Sequence, residues 1–189
     1  HDCKLENGGN LANGEYLVGP VAEVNGVSYA TLADAINAAK DGETVNMLAS
    51  TVCTENTDLT EVKSVTVDFA QHTFTGDNKN IAIRSKAEGA GVLTLMNGTI
   101  TTGDGTYCTL GAANGSAIVV KDMILNNSTA FGGSVKAFPG GTIELRDSQL
   151  NSVKGGGVAA AGGTVNIYNS KIDQKEYYDW NSMIAAASN

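Results

Sequence analysis

The chain has almost no proline, only Pro20 and Pro139 among 189 residues. A proline inside a strand removes a ladder donor, so its scarcity leaves room for unbroken hydrogen-bonded sheets. Arginine is equally scarce, with Arg84 and Arg146 alone, and 20 acidic residues against 12 basic ones give a net charge of −8. That balance offers no cationic face to a phosphate backbone and argues against nucleic acid or an anionic membrane surface as a partner. No apolar run approaches the roughly 20 residues of a membrane-spanning helix, so membrane insertion is not expected. Aromatic residues make up only 6% of the chain and gather at Tyr177, Tyr178 and Trp180. Such a cluster suits an end cap or a sugar-binding platform. The chain starts at His1, without an initiator Met or a signal-like apolar run, which is read as a processed or trimmed product.

Cysteine is limited to Cys3, Cys53 and Cys108, with no Cys-x-x-Cys or Cys/His spacing of a zinc site. Cys53 and Cys108 both fall in expected loops, so one intramolecular disulfide with one thiol left over is open. Three readings stand together: buried or free thiols, a disulfide tying the segment around Cys3 to the body, or a bond between subunits. No cofactor and no metal site is expected.

What the chain has in quantity is glycine, 23 residues, and a repeat. The clearest copies run from Gly141 to Leu150 and from Gly163 to Ile172, with earlier copies at 93–100 and 118–125. Leu93 to Ile118 is 25 residues, Ile118 to Ile143 is 25 and Ile143 to Val165 is 22. A period of this size marks stacked units, none able to bury its apolar face alone. Three columns are apolar throughout: Leu93/Ile118/Ile143/Val165, Leu95/Val120/Leu145/Ile167 and Ile100/Leu125/Leu150/Ile172. The first two lie two residues apart, hence on one face of a strand. After them comes a polar column, Asn97/Asp122/Asp147/Asn169. Asn and Asp tolerate left-handed backbone, so this column predicts a tight corner and a ladder of side chains about 4.8 Å apart. Asp122 above Asp147 would be a like-charge strain, eased by Lys121 and Arg146 in the preceding column.

Short return strands are expected at 81–83, 109–110, 135–138 and 158–160, with glycine pairs as turns. Residues 64–76 fit the register if two residues are inserted, with Val65, Val67 and Phe74 in the apolar columns, and 43–48 form the first coil. This gives about six coils. Upstream, Thr31 reads as an N-cap with Asp34 three residues on, and Leu32, Ala35, Ile36 and Ala39 form the apolar face of a short helix ended by Gly42. Val24-Asn25-Gly26-Val27 reads as a hairpin. The organisation is therefore an N-terminal segment with hairpin and capping helix (1–42), a parallel β-helix (43–175) and a C-terminal tail or cap (176–189).

Residues 29–36 and 42–45, followed by Val65-Thr66-Val67-Asp68-Phe69 and His72-Thr73-Phe74-Thr75-Gly76, resemble the N-terminal part of right-handed parallel β-helix proteins of the pectate-lyase-like superfamily. The likeness is greatest to secreted and surface members from Gram-positive gut bacteria, and it covers roughly residues 21–175. It implies an all-β, right-handed solenoid, and it says little of activity because the fold hosts lyases, hydrolases and adhesins.

An active lyase of that kind would need a carboxylate cluster for Ca²⁺ and a nearby Arg or Lys as base. Glu144, Arg146 and Asp147, with Asp122 and Lys121 one coil away, are the best constellation. Its bland counterpart is a solvated face whose charges neutralise one another. Paired aspartates of the hydrolase members would correspond to Asp122 and Asp147. The hydrolase motifs themselves (Asn-Thr-Asp, Asp-Asp, Gly-His-Gly, Arg-Ile-Lys) are missing, so no family catalytic residue carries over. His1 and His72 read as structural or solvated, and Asp104, between two glycines, as a turn or a Ca²⁺ ligand. Asn-x-Ser/Thr triplets begin at Asn97, Asn114, Asn126 and Asn127. The resulting expectation is a non-catalytic, secreted or cell-surface structural or adhesive protein. Its partners would be surface glycans or itself, head to tail in a filament, with Leu17, Val18 and Val21 as strand donors. The alternative is a pectate-lyase-like enzyme acting on acidic polysaccharide.

Overall fold

The computed structural model describes residues 3–5, 19–77, 81–103, 106–128, 133–153, 156–175 and 184–187. The expectations for His1, Leu17, Val18, Asp104, Tyr177, Tyr178 and Trp180 lie outside them. The chain opens with β1 (Cys3–Leu5), β2 (Ala22–Val24), β3 (Val27–Tyr29) and the one helix among the described residues, α1 (Leu32–Ala38). Six levels of strand follow. Level one holds β4 (Thr44–Met47), β5 (Thr51–Cys53) and β6 (Thr57–Leu59); level two holds β7 (Ser64–Asp68), β8 (Thr73–Gly76) and β9 (Ile81–Ser85). Level three is β10 (Val92–Thr102) and β11 (Cys108–Ala112); level four is β12 (Ala117–Asn127) and β13 (Gly133–Ala137). Level five is β14 (Thr142–Arg146), β15 (Gln149–Ser152) and β16 (Gly156–Ala161); level six is β17 (Thr164–Tyr168), β18 (Lys171–Gln174) and β19 (Ile184–Ala187). Successive levels pair in parallel, making an all-β solenoid of about five turns.

Each level presents three faces. The first is built from β4, β7, β14, β17 and the leading halves of β10 and β12. The second is built from β5, β8, β15, β18 and the trailing halves of the same two long strands. Because β10 and β12 run across the corner, these two faces form one continuous sheet. The third face is a separate six-stranded sheet of β6, β9, β11, β13, β16 and β19.

The alternation of residues along the strands explains the core. In β14, Ile143 and Leu145 are buried while Thr142, Glu144 and Arg146 face outward. Leu93, Ile118 and Ile143 stack in register, as do Leu95, Val120 and Leu145, and Ile100, Leu125 and Leu150. All nine are at most 1% exposed. Burying each such side chain contributes about 2 kcal/mol, which offsets the ordering of a chain that is one-eighth glycine. The interior also carries a polar row. Thr102, Asn127 and Ser152 follow one another in register and are buried. Thr102 shares a hydrogen bond with Thr109 (3.1 Å) and donates to Asn127 Oδ1 (3.1 Å), while Asn127 Nδ2 donates to Ser134 Oγ (2.6 Å). Satisfied in this way, the polar row costs little and ties the second face to the third.

The two ends differ. At the first level, β2 pairs antiparallel with β4, β3 with β2, and β1 with β5. The β2–β3 turn uses Asn25 and Gly26, both at positive φ (51° and 76°), the backbone that a two-residue hairpin requires. Helix α1 covers the open core with Leu32, Ala35 and Ile36 and is capped at its start by Thr31 Oγ1, which accepts from Asp34 N over 3.0 Å. Gly42 does not end this helix. The helix stops at Ala38, and Lys63, reaching from the next level, donates its ammonium to the carbonyls of Asn37 and Ala39, each at 2.8 Å. Gly42 lies in the following turn at φ 80°. At the far end, residues 184–187 do not lie across the core but add a sixth strand to the third sheet, with Ile184 opposite Val158. Among the described residues, β17, β18 and β19 pair on one side only.

Candidate functional site

The corner between the first and second faces gathers two of the carboxylates that the sequence offered as chemistry, Asp122 and Asp147. Asn97, Asp122, Asp147 and Asn169 all adopt left-handed backbone, with φ of 60°, 53°, 47° and 44°. These short polar side chains accept that region at lower cost than other L-residues. Gly98 follows the first of them because the level below carries two additional corner residues, Ala70 and Gln71, which push Phe69 beneath it. A Cβ at Gly98 would come within 2.7 Å of the His72 carbonyl oxygen. Asn97 Nδ2 donates to both oxygens of Asp68 (3.3 Å each), and Asn169 Nδ2 donates to Asp147 Oδ1 (2.6 Å). Together with Ile124, Gln149 and Lys171, the residues Asp122, Asp147 and Asn169 line a shallow cleft of about 490 Å³.

Glu144 and Arg146 stand outside that cleft, on the first face. Arg146 Nε donates to Glu144, and its guanidinium lies 4.3 Å from the centre of the Tyr168 ring. Residues 144 and 146 project on the same side of one strand, so Glu144 takes the hydrogen bond, while Arg146 still attracts the neighbouring Asp147 charge. Hydrogen bonding to Glu144 raises the Arg146 pKa above its ordinary value. A base in β-elimination must release a proton, and this shift runs the opposite way. Lys121 is exposed and stands in register with Arg146. Among the described residues, no three His, Cys, Asp or Glu side chains come together to hold a metal. His72 is half-buried, and its carbonyl accepts from Thr99 N over 3.1 Å, a structural contact within the corner.

The cysteines depart from the expected loops. Cys53 lies in β5 and Cys108 in β11, both fully buried. Cys53 is disulfide-bonded and Cys108 is free, so these two do not pair with each other. They belong to different sheets, whereas β1 sets the backbone of Cys3 directly opposite Cys53. Burial pushes the Cys108 thiol up to about 12, although Lys136 and Arg84 pull the other way.

One surface feature had no signal in the aligned motifs. On the second face, Thr75, Thr101, Asn126, Asn151 and Asp173 occupy a single outward register position over five levels. Asn151 Nδ2 donates to Asn126 Oδ1 (2.9 Å), and Gln149 Nε2 to Asn151 Oδ1 (2.7 Å). This strip borders an open groove of about 500 Å³. Each member is an ordinary polar strand residue, and only stacking makes a row of them. Asn126 belongs to this strip, whereas Asn127, the start of the next Asn-x-Ser/Thr triplet, points into the core.

The fold and these surfaces define a parallel β-solenoid with an Asn/Asp corner ladder. No family model, no curated protein and no solved structure matches this chain.

Proposed function

We propose that this chain is a non-catalytic structural and adhesive solenoid, secreted or displayed on a bacterial cell surface, of the pectate-lyase-like architectural type. The observation that carries the reading is the polar strip on the second face. It presents hydroxyl, amide and carboxylate groups at a spacing of about 4.8 Å per level, suited to hydrogen-bonding an extended glycan that runs along the solenoid axis. The Cys53 disulfide supports an oxidising, extracellular setting. The corner carboxylates have a structural reason to be where they are, since each occupies left-handed backbone. The unlike ends, antiparallel strands at one and parallel edges at the other, support head-to-tail association into a filament.

Binding of the purified protein to a panel of neutral and acidic surface glycans tests this reading. The expected result is retention of at least one glycan, lost in the double variant Asn126→Ala/Asn151→Ala. Equal retention by that variant overturns the adhesive role of the strip. Incubation with polygalacturonate and pectin, with and without Ca²⁺, tests the non-catalytic part, and robust product formation that disappears in Arg146→Ala overturns it. Negative-stain images at high concentration show filaments if the end-to-end part holds and single particles if it fails.

A further inference from the structure

The outer side of the third face carries a recess with chemistry unlike the rest of the surface. Its origin is one missing side chain. Asp58, Arg84, Gly111 and Lys136 follow one another in a single register column on four successive levels. Where its neighbours project long side chains, Gly111 projects none. The gap is a cavity of about 370 Å³, lined chiefly by Ile81, Arg84, Lys86, Tyr107, Gly111 and Phe138. The volume falls within the roughly 300–1,000 Å³ of small-molecule sites. A Cβ at residue 111 would press on its walls, 3.0 Å from Ile81 Cδ1 and 3.2 Å from Phe138 Cε2.

The walls are fixed. The Lys136 ammonium sits 4.7 Å from the centre of the Tyr107 ring and 5.3 Å from that of Phe138, and it donates to the Tyr107 hydroxyl. One cation thus contacts two aromatic rings. The charge is also unusual for a chain of net charge −8. Arg84 donates to Asp58 through Nε and Nη2, both at 2.6 Å, and the Lys86 ammonium lies 2.9 Å from the same carboxylate. Arg84 and Lys86 thus stand at the recess beside that carboxylate, and Lys136 lies across Gly111 in the same register column. Lys86 is 43% exposed and so can turn its ammonium toward a second anion.

We propose that this recess binds a small organic carboxylate carrying a flat ring, with the ring against Ile81, Tyr107 and Phe138 and the carboxylate toward Lys86. A flat ring uses the aromatic walls, and the negative charge uses the exposed ammonium of Lys86. Neither group alone uses both.

Benzoate and its neutral counterpart benzamide, titrated into the full chain and followed by NMR, test the site. Benzoate is expected to bind saturably in the millimolar range or tighter, with shifts at Gly111 and Lys86, and benzamide roughly tenfold more weakly. Lys86→Met, a change at a solvent-facing side chain, is expected to weaken benzoate by about fivefold or more while leaving the melting temperature within a few degrees. Gly111→Leu fills the recess and abolishes binding. Absence of saturable benzoate binding overturns the proposal, as does equal binding of benzamide or unchanged affinity in Lys86→Met. Should Gly111→Leu fail to fold, the benzamide comparison and Lys86→Met decide the matter by themselves.

Discussion

Asn169 and Asp147 occupy the same corner on adjacent levels, and the amide of one donates to the carboxylate of the other over 2.6 Å, both from left-handed backbone. The corner is therefore set by backbone preference and side-chain bonding together. Asn169→Val loses both and should cost about 2 kcal/mol, whereas Asn169→Gly keeps the backbone and should cost under about 1 kcal/mol. Urea unfolding of the two variants, compared at a common m-value, checks the difference.

Asp122 stacks between Asn97 and Asp147 in the same column, with a like charge as its upper neighbour. Asp122→Asn removes the repulsion without altering the turn preference. Stabilisation by a few tenths of a kcal/mol at low ionic strength is expected, fading as salt screens the pair. Thermal melts at two salt concentrations would show the effect, and destabilisation at low salt would contradict it.

Gly141 lies where the chain turns from the third face back to the first. A Cβ there would come within 2.6 Å of Ala113 N, with the Ala112 carbonyl also in the way, and backbone cannot step aside as a side chain can. Gly141→Ala should cost roughly 3 kcal/mol or more. Gly42 has φ 80° but open space around it, so Gly42→Ala should cost only about 1 kcal/mol. Measuring both separates steric approach from backbone strain.

Asp58 carries the pH dependence of the third face. Burial acts to raise its pKa, but hydrogen bonds from Arg84 and Lys86 outweigh that, and the net shift is downward. A carboxylate with a lowered folded pKa contributes stability that is present above its unfolded value, near 3.8, and is lost as pH falls through the folded one. Asp58→Asn should therefore be less stable than the parent at neutral pH, and the gap should narrow as the pH falls below the ordinary carboxylate range. A gap that stays constant through acid titration would contradict this assignment.

The cysteines can be counted directly. With its thiol pushed up to about 12 and fully buried, Cys108 should resist iodoacetamide in the folded protein at pH 8 and react once the chain is unfolded. Non-reducing peptide mapping should recover a Cys3–Cys53 cross-link, in keeping with the register of β1 against β5. Rapid labelling of native Cys108, or a cross-link that contains it, would contradict the assignment.

The first two faces were legible in the sequence because each level repeats them: Leu95, Val120 and Leu145 recur at fixed spacing and stack in the register that the spacing implies. The two-residue insertion before Phe74 was legible for the same reason. The third face was less so. Its strands begin after turns of unequal length, and Ile81, Cys108 and Gly133 share a register column without sharing chemistry. That irregularity hid both the strand placement of Cys108 and the recess at Gly111. The polar strip through Asn126 and Asn151 was invisible for another reason, since an outward polar residue on one strand means nothing until its neighbours above and below are known. Lys63 as the cap of α1 depends on a contact 24 residues away in sequence, beyond any local capping pattern.

The ladder also sets how the molecule comes apart. Each level is bonded only to its neighbours, so the solenoid behaves as a one-dimensional lattice. Its first level is clasped by antiparallel strands and a helix, while Val165, Ile167 and Ile172 on the sixth level are only partly buried. Melting should advance as a front from level six toward level one. Amide exchange would then read as a gradient along the axis, fastest in β17 and β18 and slowest in β4, paired on both sides beneath the first-level clasp.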